Sequence, residues 1–144
     1  LGLAGTTQAA QDWCDAHSIP YISSWAGLTY IDRSRAGYQG AQGVYGARHA
    51  NWTVQAADRI LVLGSRLDNR QRTGNPRGYA PFAELMVVDV DPEEIKKFGS
   101  DPRYGGAVFD LRGIGDVLDS VSFSYDPSPW RELVDSDRST NSSG

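Results

Sequence analysis

Three glycines at three-residue spacing, Gly40-Ala-Gln-Gly43-Val-Tyr-Gly46, lead straight into the helical pattern that begins Ala47-Arg-His-Ala-Asn51. Such spacing suits the binding of a phosphate-bearing anion. Glycine lets backbone N–H groups approach a bulky anion, and the start of the following helix adds further N–H groups and a partial positive charge. The same run also fits an ordinary loop. Two more residues stand where a ligand would be read, Arg66 and Asp89, at the ends of the apolar runs Arg59-Ile-Leu-Val-Leu63 and Leu85-Met-Val-Val-Asp89-Val90. In open parallel α/β sheets, ligands sit outside the carboxyl ends of the strands. A solvated basic loop accounts equally for Arg66, Arg70, Arg72 and Arg77, and Asp89 can simply end its strand and turn the chain toward Asp91-Pro92.

Other chemistries are harder to build. Cys14 is the only cysteine, which excludes an intramolecular disulfide and a cysteine-rich metal site. It shares a helical stripe with Ala9, Ala10 and Trp13, where a small buried residue fits better than a nucleophile. His17 and His49 are far apart in the chain and lack a carboxylate–histidine pattern, so they read as surface or loop-contact residues. The net charge of −4 argues against a general nucleic-acid binder, and no apolar run approaches the length of a membrane span. With no basic-then-apolar leader, the expectation is a soluble, cytoplasmic protein.

Stepping along the chain, helical and strand-like segments alternate, which selects an α/β class with a mainly parallel, doubly wound sheet and helices on both faces. Thr6 or Thr7 can cap a helix to about His17, and Ile19-Pro-Tyr-Ile-Ser23 is the strand after it. Residues 24–45 read as one long glycine-rich loop, a length usually kept for function. Residues 47–57 form a helix with Ala47, Ala50, Val54 and Ala57 on one stripe, and Asn51 reads as satisfying backbone groups of the glycine loop rather than touching a ligand. Asp91-Pro-Glu-Glu94 starts another helix, with Asp91 as cap, Pro92 at the first position and Glu94 as a capping-box acid. Ala107-Val-Phe-Asp110 is a last strand, and Ile114, Val117, Leu118 and Val121 form a helical stripe. Ser128-Pro-Trp130 opens a short helix, whereas residues 135–144 read as a frayed, disordered polar tail after a domain of residues 1–134. Leu1-Gly-Leu-Ala-Gly5 looks like the end of a strand with its glycine turn, so the first strand reads as truncated. Trp13 is expected in the core, Trp52 is expected to face another domain, and the four tryptophans do not form a stacking platform by spacing.

Four blocks in this order resemble one known family: Pro20-Tyr-Ile-Ser-Ser-Trp-Ala-Gly27, the glycine loop to Asn51, Ala57-Asp-Arg-Ile-Leu-Val-Leu-Gly-Ser-Arg66, and Val88-Asp-Val-Asp-Pro-Glu-Glu-Ile95. Together they are similar to the central domain of thiamine-diphosphate-dependent enzymes of the acetolactate synthase type, over about residues 2 to 120. The resemblance implies a Rossmann-like domain that binds FAD in some members, ADP in another, and nothing in several. It also implies a parent enzyme acting on 2-keto acids, with two further domains that hold thiamine diphosphate and magnesium and with a homo-oligomeric assembly. The diphosphate and metal motif of the third domain is not found in this sequence, so the resemblance implies no catalytic residue here.

Carried over from flavin-binding members, the resemblance implies a set of cofactor contacts. Ser24, Trp25 and Ala26 match the loop beside the flavin or ribityl chain, and Gln42, Gly43, Val44 and Tyr45 match the loop that passes the dinucleotide. Gly64, Ser65 and Arg66 match the turn after the next strand, where the planar donors of Arg66 suit a diphosphate, and Asp68 and Arg70 follow it. Asp89 with Val90, and Asp110 with Leu111, match positions beside the adenosine. Tyr45 stands where acetolactate synthases commonly have histidine and Ala26 where they have a longer side chain, which keeps a ligand-free structural spacer as the alternative. An NAD-using oxidoreductase is a more distant one, because the spacing is not Gly-x-Gly-x-x-Gly.

Overall fold

The computed structural model describes residues 1–72, 74–120 and 126–141. In chain order these form α1 (Thr7–Ala16), β1 (Tyr21–Ser23), a short 3₁₀ segment (Trp25–Thr29), β2 (Tyr38–Ala41), α2 (Arg48–Ala56) and β3 (Arg59–Leu63). A 3₁₀ turn (Pro76–Gly78) precedes β4 (Glu84–Asp89), α3 (Pro92–Lys96) and β5 (Tyr104–Val108). A further 3₁₀ turn (Leu111–Gly113), α4 (Ile114–Ser120) and α5 (Ser128–Asn141) complete the order.

Among the described residues, all the strand pairing is parallel. β4 lies between β3 and β5, with Arg59 opposite Glu84 and Leu85 opposite Tyr104, while β1 pairs with β2. The α/β class and parallel pairing match the sequence reading. The ladders among the described residues form two groups, β1-β2 and β3-β4-β5.

Alternation along β3 and β4 divides the core in two. Val62, Leu85 and Val87 point to one face, where they pack with Val54 of α2 and with Leu67, Tyr79, Ala80, Ala83 and Phe98; Ile95 of α3 packs against the same group. Leu63 and Val88 point to the other face, against Ala10 of α1 and Ile114 and Leu118 of α4. Helices therefore cover both faces. This period-two division is what a run apolar on both faces, such as Leu85-Met-Val-Val88, requires. Burying Leu85 and Val87 almost completely contributes roughly 1.5–3 kcal/mol for each side chain.

Several local expectations change. The stretch read as a 24–45 loop contains the 3₁₀ segment and β2; Tyr38-Gln-Gly-Ala41 lacks a strand's usual composition and is extended because it pairs with β1. β5 begins at Tyr104, ahead of the expected Ala107, and includes Gly105 and Gly106. A Cβ at Gly106 would lie 2.1 Å from Ile95 Cγ2, so glycine lets α3 pack directly on the strand. Thr6 precedes α1 without a side-chain cap bond, and its hydroxyl instead donates to the Leu111 carbonyl at 3.0 Å. α5 runs to Asn141, so most of the segment read as a frayed tail is helical. Trp52 and Trp130 stack with ring centroids 6.2 Å apart and planes 10° apart, so Trp52 meets α5 where another domain was expected. Val121 lies outside the described residues.

Candidate functional site

The glycine loop connects β2 to α2 beside the ends of the strands. Gly40 and Gly43 have φ of +105° and +111°, conformations that side chains rarely adopt. A Cβ at Gly46 would lie 2.5 Å from the Ala41 carbonyl oxygen, which explains the third glycine. Asn51 reaches back from α2: its Oδ1 accepts from Gly43 N at 2.8 Å and its Nδ2 donates to Gly43 O at 2.9 Å. The expected role of Asn51 in holding the loop is the one observed.

Most N–H groups of this loop are engaged internally. Val44 N donates to Arg70 O at 3.0 Å, Gly46 N to Gly43 O and Ala47 N to Ala41 O. The feature that remains suited to an anion is the start of α2, which has Ala47 at its cap and no side-chain cap bond. Val44 and Tyr45 are exposed on the rim, whereas Gln42 is buried and accepts from the Tyr79 hydroxyl at 2.8 Å. The side chain of Gln42 therefore faces the protein.

The segment after β3 forms a second rim beside the glycine loop, which it meets where Val44 N donates to Arg70 O. Gly64 has φ +61°, Ser65 exchanges hydrogen bonds with the Gln71 amide, and the Arg66 guanidinium is 78% exposed with Glu94 at 3.5 Å. Lys97 holds the Arg66 carbonyl and pairs with Glu94, so Glu94 supports this turn in place of the expected capping-box role. Asp68 accepts from the N–H groups of Arg70 and Gln71 and shapes its own turn, leaving Arg70 exposed. Leu67, fully buried with φ +46°, anchors the segment, and its carbonyl accepts from Arg72 Nε.

The remaining candidates divide between the rim and the interior. Ser24 caps the 3₁₀ segment by accepting from Gly27 N at 3.2 Å, and Trp25 and Ala26 are exposed beside it. Asp89 accepts from Asp91 N at 3.0 Å and so turns the chain, while Val90 is 65% exposed. Asp110 caps the turn after β5; the Arg112 guanidinium and N–H beside it hold its carboxyl down to about 2. Leu111 is buried in the core with Ala10 and Ile114, which leaves its side chain unavailable to a ligand. Sequence reading missed the residues that shape these rims, namely Gln71, Tyr79, Lys97 and Arg103. Gln71 acts within its own turn, whereas Tyr79, Lys97 and Arg103 act over long chain separations, which no short-spacing pattern reveals.

Cys14 is a half-buried thiol, pushed up to about 11 by burial and, to a smaller extent, by Asp15. Among the described residues, no helix is long and apolar enough to cross a membrane and no cluster of His, Cys, Asp and Glu could hold a metal.

The family model of the thiamine pyrophosphate enzyme central domain matches residues 2–104, from α1 to the start of β5. The chain belongs to this family. Among curated relatives, a probable acetolactate synthase large subunit of Methanocaldococcus jannaschii is 38% identical over 134 residues, covering 92% of this chain and 22% of the relative. The acetolactate synthase isozyme 2 large subunit of Escherichia coli is 31% identical over 97 residues, covering 67% and 18%. Acetolactate synthase 1 of Zea mays is 27% identical over 139 residues, covering 93% and 22%. This thiamine pyrophosphate enzyme central domain thus spans about a fifth of the length of the relatives it matches.

Proposed function

We propose that this domain is the nucleotide-binding module of an acetolactate-synthase-like enzyme acting on 2-keto acids, and that its strand ends take FAD or ADP. The observation that carries this reading is the uncapped start of α2, opening from a glycine loop that Asn51 holds in place, with the exposed Arg66 guanidinium in the turn after β3. These residues suit a diphosphate; exposed Trp25, Tyr45 and Val90 suit the flat, less polar parts of a flavin or adenosine. Thiamine diphosphate and magnesium would belong to the other domains of a homo-oligomeric parent, which would carry the carbon chemistry.

A second reading, a ligand-free spacer that supports assembly, is favoured by one observation. The loop N–H groups and the carboxylates of Asp68, Asp89 and Asp110 are largely engaged within their own turns. Thermal melts of the chain alone, with FAD and with ADP separate the two. A ligand at 100 times its dissociation constant adds about 2.7 kcal/mol, a shift of several degrees, and Arg66→Ala is expected to weaken that ligand about tenfold or more. A cooperative melt unmoved by both nucleotides would establish the spacer. Unchanged affinity in the Arg66 variant would remove the role assigned to that side chain.

A further inference from the structure

The two rims of the proposed nucleotide site are joined through the interior. Tyr79, 3% exposed, donates from its hydroxyl to Gln42 Oε1 at 2.8 Å, and Gln42 is itself 5% exposed. Gln42 lies one residue before Gly43, and its N–H donates to the Ser23 carbonyl at the end of β1. Tyr79 closes the long segment that begins with Ser65 and Arg66. Its carbonyl and that of Ala80, which has φ +42°, accept from Arg103 Nη1 at 3.1 and 2.9 Å, and Arg103 is clamped by Asp101 at 2.7 Å. Ala80 therefore keeps a left-handed conformation, unfavourable for a residue with a Cβ, under a guanidinium fixed just ahead of β5. A second link, Val44 N to Arg70 O, closes the same two segments at the surface.

We propose that Tyr79 is a positioning residue: its hydroxyl couples the glycine loop to the segment 65–80, so that the two rims hold one shape and open together. The pairing is a fully buried polar contact in a position that otherwise demands apolar packing, since Val54, Val62 and Leu67 belong to the same cluster as Tyr79. Deleting the hydroxyl leaves Gln42 Oε1 buried without its donor, and the loop must move to rehydrate it. Burial raises the phenol well above its usual range, with Gln42 opposing, so the group is a donor throughout the ordinary pH range. The consequence for nucleotide affinity rests on the function proposed above, whereas the coupling of the rims does not.

The test is backbone amide hydrogen exchange on the 144-residue chain as wild type, Tyr79→Phe, Gln42→Leu and the double variant. Each single variant is expected to raise exchange about tenfold at Val44 and Gly46 and also at Gln71, Arg72 and Gly74, while the Leu85 and Val87 amides of β4 hold their protection. The double variant is expected to open the rims no further than the singles, because both remove the same contact. Unchanged exchange at Val44 and Gly46 in Tyr79→Phe would overturn the proposal. So would a uniform rise across β4, which marks a merely structural role. Gln42→Leu supplies the same reading from the other side if the phenylalanine variant folds poorly. ADP and FAD titrations of the same proteins are expected to show about a tenfold loss of affinity in each variant. If wild type binds neither nucleotide, the functional reading falls and the exchange data alone still decide the coupling.

Discussion

Asn51 makes a closed pair of hydrogen bonds with a single residue, Gly43, accepting from its N–H and donating to its carbonyl. One side chain on the first turn of α2 thus fixes the middle of the glycine loop, and Gly43 is buried beneath it. Asn51→Leu removes both bonds and leaves two backbone groups unsatisfied. The expected cost is about 2–4 kcal/mol, read from urea denaturation midpoints. Asn51→Asp keeps the acceptor but offers no donor to the carbonyl, so its cost should be smaller; equal losses in the two variants would mean the acceptor side contributes nothing.

Gly43 and Gly74 both have positive φ, +111° and +71°, yet their surroundings differ. A Cβ at Gly43 would lie 2.8 Å from the Arg70 carbonyl oxygen, whereas one at Gly74 would meet nothing within 4 Å among the described residues. Gly74→Ala should therefore cost about 1 kcal/mol from backbone strain alone, and Gly43→Ala about 2–4 kcal/mol from strain and collision together. Paired thermal melts decide this, and a Gly43 variant as stable as the Gly74 variant would contradict the close contact with Arg70.

Asp110 is held down to about 2 by Arg112. A depressed native value means that its contribution to stability is complete above the unfolded carboxylate value of about 3.9 and is lost as pH falls through the native value. Both side chains are exposed, so solvent screening keeps the effect small. The stability gap between wild type and Asp110→Asn should be present at pH 7 and vanish between about pH 4 and 2. A gap that stays constant across that window in urea midpoints would remove the ion pair as its source.

The Cys14 thiol, raised to about 11 by its surroundings, carries almost no thiolate at neutral pH. Its reaction with a disulfide reagent at pH 8 should be slow in the native chain and should accelerate when urea unfolds it. Fast labelling without denaturant would show that α1 leaves the packed position it has against α4.

Elements carried by composition were legible in the sequence. Arg59-Ile-Leu-Val-Leu63 and the run through Asp89 are apolar on both faces, and Asp91-Pro92 spells a helix start with its cap; all three stand where the residues indicate, the second strand within one residue. β2 and the start of β5 were not legible, because Tyr38-Gln-Gly-Ala41 and Tyr104-Gly-Gly106 become extended through pairing and close helix packing, not through local preference. The same division applies to the proposed contacts. Val44, Tyr45, Arg66 and Val90 sit in exposed turns, where local sequence sets exposure. The inward turn of Gln42 and the burial of Leu111 depend on Tyr79 and on the α1–α4 core, which lie far away in the chain.

The parallel order β3-β4-β5 also constrains how the chain acquires its fold. Arg59 meets its β4 neighbour only at Glu84, and Leu85 its β5 neighbour only at Tyr104, so among the described residues neither of these ladders can begin as a hairpin. Each pairing must wait until the intervening segment has closed, an entropic cost met before any contact rewards it. β4 takes part in both closures, which makes it the strand on which assembly converges. The segment that holds Leu67 and Ala80 in the left-handed conformation lies within the loop closed when β4 joins β3. The chain that forms a rim is thereby also chain whose closure the sheet requires.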